Sequence, residues 1–133
     1  MKTLKNLMII GIVSLGLLAF SKLIQEEWKV PEKYEKMQDP TEATKENLAT
    51  GKVLYLKHCK SCHGKEGLGD GPKGEDVDGD LGDFSTEEFQ SQSDGALFYK
   101  SYIGRNDMPN YEKKIPNENE MWYIVHFMRT LKE

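Results

Sequence analysis

The stretch "HCKSCHG", residues 58–64, decides how this chain is read. Cys59 and Cys62 stand three apart, His63 follows directly, and the 133 residues hold no third cysteine. Four chemistries compete for that pattern. A thioredoxin-like pair needs a preceding strand in a βαβ setting, which the flanking sequence lacks. A zinc site needs four ligands, and only Cys59, Cys62, His63 and His58 are at hand, with no second C-x-x-C. A disulfide between residues so close closes too small a loop to add much stability. The fourth reading, C-x-x-C-H as the attachment signature for c-type haem, uses all three side chains. One backbone turn sets two thiols beneath two vinyl groups of a porphyrin, where each forms a thioether. The imidazole of His63 then faces the iron from the same side.

The N-terminus agrees with a compartment in which such attachment occurs. Lys2 and Lys5 precede "LMIIGIVSLGLLAF", residues 7–20, which carries no charge. This is the order of a positive n-region and an apolar h-region. Two outcomes remain open. Ala19 and Ser21 permit cleavage after Ser21. Alternatively Lys22 snorkels and Leu23 and Ile24 extend the segment to 18 residues, enough for a tilted span. Residues 1–24 therefore read as an export signal or an N-terminal membrane anchor, with the body on the periplasmic or extracytoplasmic side. Residues 25–43, "QEEWKVPEKYEKMQDPTEA", are charged, contain two prolines and read as a linker. Trp28 is the exception there, and suits either a membrane interface or packing on the domain.

Past residue 24 there are 15 Lys+Arg against 22 Asp+Glu, a balance of −7. Nucleic acid, which needs basic patches, is excluded as a partner. Basic docking patches on partner proteins, or simple solubility, fit better.

Residues 44–133 read as one all-α domain. A helix runs through "TKENLATGKVLYLKHC" with Leu48, Leu54 and Tyr55 near one face. Gly51 lies inside it, at a cost of about 1 kcal/mol relative to alanine, so another helix is expected to cross closely there. Residues 64–83 hold seven glycines and read as a long loop. Ser85 with Glu88 forms a capping box that predicts a short helix starting at Ser85. Ser93 predicts the N-cap of a further helix ending at Gly104. Residues 105–116 show no periodicity. Asn117 caps the last helix, with an apolar stripe of Ile124, Phe127, Met128 and Leu131. A domain so small and loop-rich struggles to bury a core of its own, and a large flat apolar cofactor would supply the missing volume.

Six side chains compete for the sixth position on the iron. His58 precedes Cys59 and must sit on the proximal side. Met121, His126 and Met128 belong to the last helix, Met128 to its apolar stripe. Met37 is in the linker. Met108 stands in an aperiodic loop stiffened by Pro109, and its soft thioether has a clearer reason to be a ligand than to pack. His/Met ligation raises the reduction potential and leaves no open position, which favours electron transfer over catalysis.

These features together resemble a class I monohaem cytochrome c over residues 44–133. "GKVLYLKHCKSCHG" resembles the family's first helix and haem motif, "GLGDGP" its glycine-rich run, "GRNDMP" its axial-methionine loop and "MWYIVHFMRTL" its closing helix. The resemblance implies short helices wrapped around one covalent haem c held by Cys59 and Cys62 and ligated by His63 and Met108. It also implies that the closing helix meets the first at Gly51 through Ile124 and Phe127. One departure stands out. Many relatives have a proline before the "DF" that is here Asp83-Phe84, and its carbonyl orients the proximal histidine. The run "DVDGDLGDF" has none, so a backbone carbonyl between Gly79 and Gly82 is expected to replace it. Its aspartates lack the EF-hand pattern and read as a solvated acidic loop. The expected function is one-electron transfer in a membrane respiratory chain, alone or as the haem subunit of a redox complex. The competing expectation is a haem sensor or small catalytic haem protein with a displaceable sixth ligand.

Overall fold

The computed structural model describes residues 27–132; the apolar segment at residues 7–24 and its cleavage or retention lie outside them. Six α-helices follow in order: α1 (Glu32–Glu35), α2 (Lys45–His58), α3 (Lys60–His63), α4 (Glu87–Gln90), α5 (Asp94–Tyr102) and α6 (Glu118–Arg129), with a 3-10 turn at Gly74–Asp76. The only β-type pairing among the described residues is an isolated bridge between Arg105 and Met108. The domain is all-α, and no described helix is long and apolar enough to cross a membrane.

Local chemistry sets most helix ends. Thr44 Oγ1 accepts from the Asn47 amide (3.1 Å) to start α2, Ser93 Oγ accepts from Ala96 (3.1 Å) to start α5, and Asn117 Oδ1 accepts from Asn119 (3.2 Å) to start α6. Gly104, at φ +71°, follows the C-cap of α5 in the left-handed conformation that stops a helix. The cap expected at Ser85 is corrected. Both the Ser85 amide and its hydroxyl donate to Asp83 Oδ1, at 2.9 and 2.7 Å, which commits Ser85 to a turn. Thr86 caps α4 instead, accepting from the Phe89 amide at 3.3 Å.

The frame is the crossing of α2 on α6. Tyr55, Leu97, Ile115, Met121, Ile124 and Val125 are fully buried around it, and Trp122 stacks on Phe98 with centroids 4.3 Å apart. The buried face of α6 is wider than the stripe in the sequence, taking in Met121, Trp122 and Val125 as well. A helix packed from two sides buries more than one stripe. At Gly51 the two backbones touch: a Cβ there would overlap the Tyr123 carbonyl and reach Ile124 N at 3.1 Å.

The described residues among 25–43 do not hang free as a linker. α1 packs on α5, Tyr34 lies against Tyr99 (centroids 4.6 Å), and Ser93 Oγ donates to Glu35 at 2.8 Å. Further on, Thr41 Oγ1 donates to Asp39 (2.8 Å) and lies 3.0 Å from His126 Nε2, which is 3.1 Å from Asp39 Oδ2. With the threonine proton committed to Asp39, the ring N–H is the donor to Thr41. This strap was invisible in the sequence because its apolar contacts, Tyr34 and Met37, are interleaved with charges.

Gly51→Ala gains helix propensity of about 1 kcal/mol but forces the two backbones apart. It is expected to lower stability by a net of about 1–3 kcal/mol, measured by guanidinium unfolding of the purified protein. A neutral or stabilised variant would argue against the close crossing.

Candidate functional site

α2 runs into α3 at Cys59, which is the C-cap of one and the N-cap of the other. That junction turns the motif inward. Cys59, Cys62 and His63 line one cavity of about 570 Å³, and Met108 lines the same cavity from the loop after α5. Leu81, Phe84, Phe89, Leu97, Tyr111 and Met128 supply apolar wall. Of the other candidates for the sixth position, His58 and Met128 also border the cavity. Met37 packs against the core, Met121 is buried within it, and His126 is engaged by Thr41 and Asp39.

The glycine-rich loop is folded back on α3 by backbone bonds. Gly69 N donates to His63 O (3.0 Å), Gly71 N to Cys62 O (3.1 Å) and Lys73 N to Ser61 O (2.7 Å). This brings the Leu81 carbonyl to 3.1 Å from His63 Nδ1. The carbonyl thus falls in the expected interval, between Gly79 and Gly82, with no proline needed. The geometry fixes the tautomer: Nδ1–H donates to Leu81, and Nε2 keeps its lone pair. Burial pushes the imidazole toward its neutral form, and outweighs the Leu81 bond, which favours the proton. Phe84 holds the ring from one side, centroids 4.9 Å apart, and itself stacks on Phe89 at 4.2 Å.

Two tyrosines brace the motif. The Tyr55 hydroxyl donates to Gly64 O (2.9 Å) and that of Tyr111 to His58 O (2.8 Å). Burial, with Cys59 next in effect, raises both phenols, Tyr111 to about 12. Tyr111 was not singled out in the sequence; it lies in the aperiodic 105–116 stretch and meets α2 only through the fold. The cysteines are not bonded to each other. Burial, then Cys62, pushes the Cys59 thiol up to about 12, the opposite of the low value a redox-active thiol needs. Among the described residues no three His, Cys, Asp or Glu side chains converge to hold a metal ion by themselves.

The residues present fit a covalent haem c. Two unpaired thiols, a neutral imidazole with its second nitrogen tied down, and a thioether border one largely apolar cavity. The sequence profile of the cytochrome c family matches residues 48–132. The chain belongs to the cytochrome c family. Its fold is that family's all-α fold, and haem-based electron transfer is the family's chemistry. This cytochrome is also similar to a solved structure, a chain of the reducing HAO-like protein complex Kustc0457/Kustc0458 of Kuenenia stuttgartiensis. The TM-score is 0.61 at 28% identity, covering 84% of this chain and 53% of that one. The cytochrome therefore spans about half the length of that neighbour. Comparison with curated proteins returned no match.

Proposed function

We propose that this cytochrome is an extracytoplasmic one-electron carrier holding a single haem c. The observation that carries the reading is the convergence of Cys59, Cys62, His63 and Met108 on one cavity. In this reading Cys59 and Cys62 form the thioethers, His63 Nε2 and Met108 Sδ ligate the iron, and the bound haem supplies an Fe(III)/Fe(II) couple. The Leu81 carbonyl orients His63 and raises its basicity as a ligand. Phe84, Phe89 and Met128 exclude water, which limits reorganisation around a changing charge. With His63 and Met108 both holding the iron, no position would be left for a substrate, and the chain's own residues would carry out no bond-making chemistry.

Location and partners are inferred from charge and from the neighbour. The charged n-region and apolar segment in residues 1–24 support export, as a cleaved signal or as an anchor. The neighbour belongs to a redox complex, which supports a role as carrier or haem subunit beside a larger oxidoreductase. On one side of the cavity lies the acidic loop with Glu75, Asp76, Asp78, Asp80 and Asp83 exposed, Asp78 and Asp80 at the cavity itself. That side suits a basic docking patch on the redox partner.

A pyridine haemochrome spectrum with intact mass is expected to show one covalent haem per chain. The same mass reports the N-terminus: a mature chain starting at Lys22 would exclude the anchor. Met108→Ala is expected to abolish the iron–sulfur charge-transfer band and lower the midpoint potential. An unchanged band would remove Met108 as ligand and favour the sensor or catalytic reading. Electron transfer to a basic partner protein is expected to slow as ionic strength rises, followed by stopped flow; a flat salt profile would argue against acidic docking.

A further inference from the structure

A polar chain runs behind the histidine side of the cavity, from the end of α6 through α4 to the residues that hold His63. Its centre is Gln90, the half-buried last residue of α4. The Gln90 side-chain amide meets two backbone carbonyls from distant segments. Nε2 donates to Phe84 O at 2.6 Å and to Met128 O at 3.1 Å. The Met128 carbonyl belongs to the last turn of α6, where carbonyls have no partner inside the helix. Arg129 holds Gln90 from behind. Its Nη1 donates to Gln90 O at 2.7 Å and lies 3.5 Å from Gln90 Oε1. Its Nε and Nη2 donate to Asp94 Oδ1 at 2.8 and 2.6 Å, and Nη2 also donates to Gln92 O at 2.6 Å. A guanidinium is a rigid planar fork, so bonds on every side fix its place. Neither Gln90 nor Arg129 lines the cavity.

The chain reaches His63 by two routes, both through Phe84. The first is the ring. The Phe84 amide donates to Gly67 O at 2.8 Å and its carbonyl accepts from Gln90, so its backbone is pinned from both sides. A Cβ on Gly67 would stand 2.8 Å from Phe84 Cβ and 2.9 Å from Cδ2, so the side chain is wedged as well. That ring is the one 4.9 Å from the His63 imidazole. The second route is the Leu81 carbonyl. Phe84 anchors the chain just past Leu81, and the link between them is loosely packed. Gly82 stands at φ +72°, a Cβ there would meet nothing within 4 Å among the described residues, and Asp83 is exposed. Where Leu81 O lies therefore depends on where Phe84 is held.

Resting on the haem reading above, we infer that Gln90 is a positioning residue for the axial histidine, acting through Phe84, and that Arg129 fixes Gln90 in that role. An amide is the group that fits: its two N–H bonds meet two carbonyls while its oxygen faces a guanidinium. A carboxylate would set oxygen against both carbonyls, and an apolar side chain would leave them without this donor.

The test uses the full-chain holoprotein, with covalent haem first quantified as pyridine haemochrome. It reads the midpoint potential by optical redox titration. In the oxidised protein it also reads the spread of the haem-methyl resonances by proton NMR, which follows the plane of the axial histidine. Q90M keeps the length and loses both donors. It is expected to change the methyl spread and raise the midpoint, because a His63 less firmly bonded to Leu81 is a weaker donor to Fe(III). R129K keeps the charge but not the fork, and is expected to shift both readouts in the same sense and less. It carries the same test if Q90M fails to take up haem. Since both act through Phe84, the double variant should shift the readouts by less than the sum of the two. N117A removes the cap of α6, away from the cavity, and serves as the control. It should lower stability against guanidinium and leave both readouts at the parent values. Parent-like readouts in Q90M and R129K with haem attached would overturn the assignment. So would a fall in midpoint with the methyl spread unchanged, which is the sign of water admitted past Phe89, or shifts in N117A as large as those in Q90M. Additive shifts would remove Arg129 from the route. A parent protein without covalent haem would overturn the haem reading, and the assignment with it.

Discussion

The backbone contact between α2 and α6 at Gly51 is the constraint on which the rest of this structure depends. Two helices from opposite ends of the domain approach until the Tyr123 carbonyl occupies the space of a missing side chain. That contact joins the first long helix of the domain to its last and sets the direction in which α2 ends. Because α2 ends at Cys59 and α3 begins there, the crossing also aims the C-x-x-C-H motif. The motif has little freedom left. Tyr55, fully buried beneath the crossing, donates to Gly64 just past His63, and Tyr111 ties down the His58 carbonyl at the start of the motif. The cavity is what such a frame leaves open when short helices surround a centre they cannot fill.

Loops, not helices, carry most of the site's chemistry. The Leu81 carbonyl, Met108 and Tyr111 all come from segments without periodicity. Leu81 and Tyr111 are fixed by hydrogen bonds to helical residues, and Met108 by its backbone bond to Arg105 within its own loop. The glycine-rich run is held by backbone bonds to the Ser61, Cys62 and His63 carbonyls of α3, which is how an irregular segment delivers an acceptor to His63. Scaffold and chemistry are thus divided in the usual way, with rigid elements positioning functional loops. The division also explains how the missing proline is tolerated. A carbonyl is present at every residue, so any chain path that brings one to His63 Nδ1 will serve.

Much of this was readable from the residues. The caps at Ser93 and Asn117 were legible because the bonding group and its partner lie within three residues. Gly51 announced a close approach because glycine in a helix interior needs a reason. Ser85 misled because Asp83 competes for its hydroxyl, a contest between two local motifs that the sequence states without ranking. The strap was not legible. Its partner residues lie about 60 or more positions apart in the chain, as with Tyr34 and Tyr99 or Asp39 and His126, and no spacing rule reaches that far.

The sequence by itself determined the three longer helices, α2, α5 and α6, the caps at Ser93 and Asn117, the all-α class and the chemistry offered by Cys59, Cys62 and His63. Those follow from interactions within one or two turns, where identity and spacing suffice. Only the tertiary structure decided which carbonyl meets His63, which of the methionines and histidines border the cavity, and that Trp28 joins its wall. Those depend on where distant segments are brought by packing, and packing is settled by the shape of the whole chain rather than by any stretch of it.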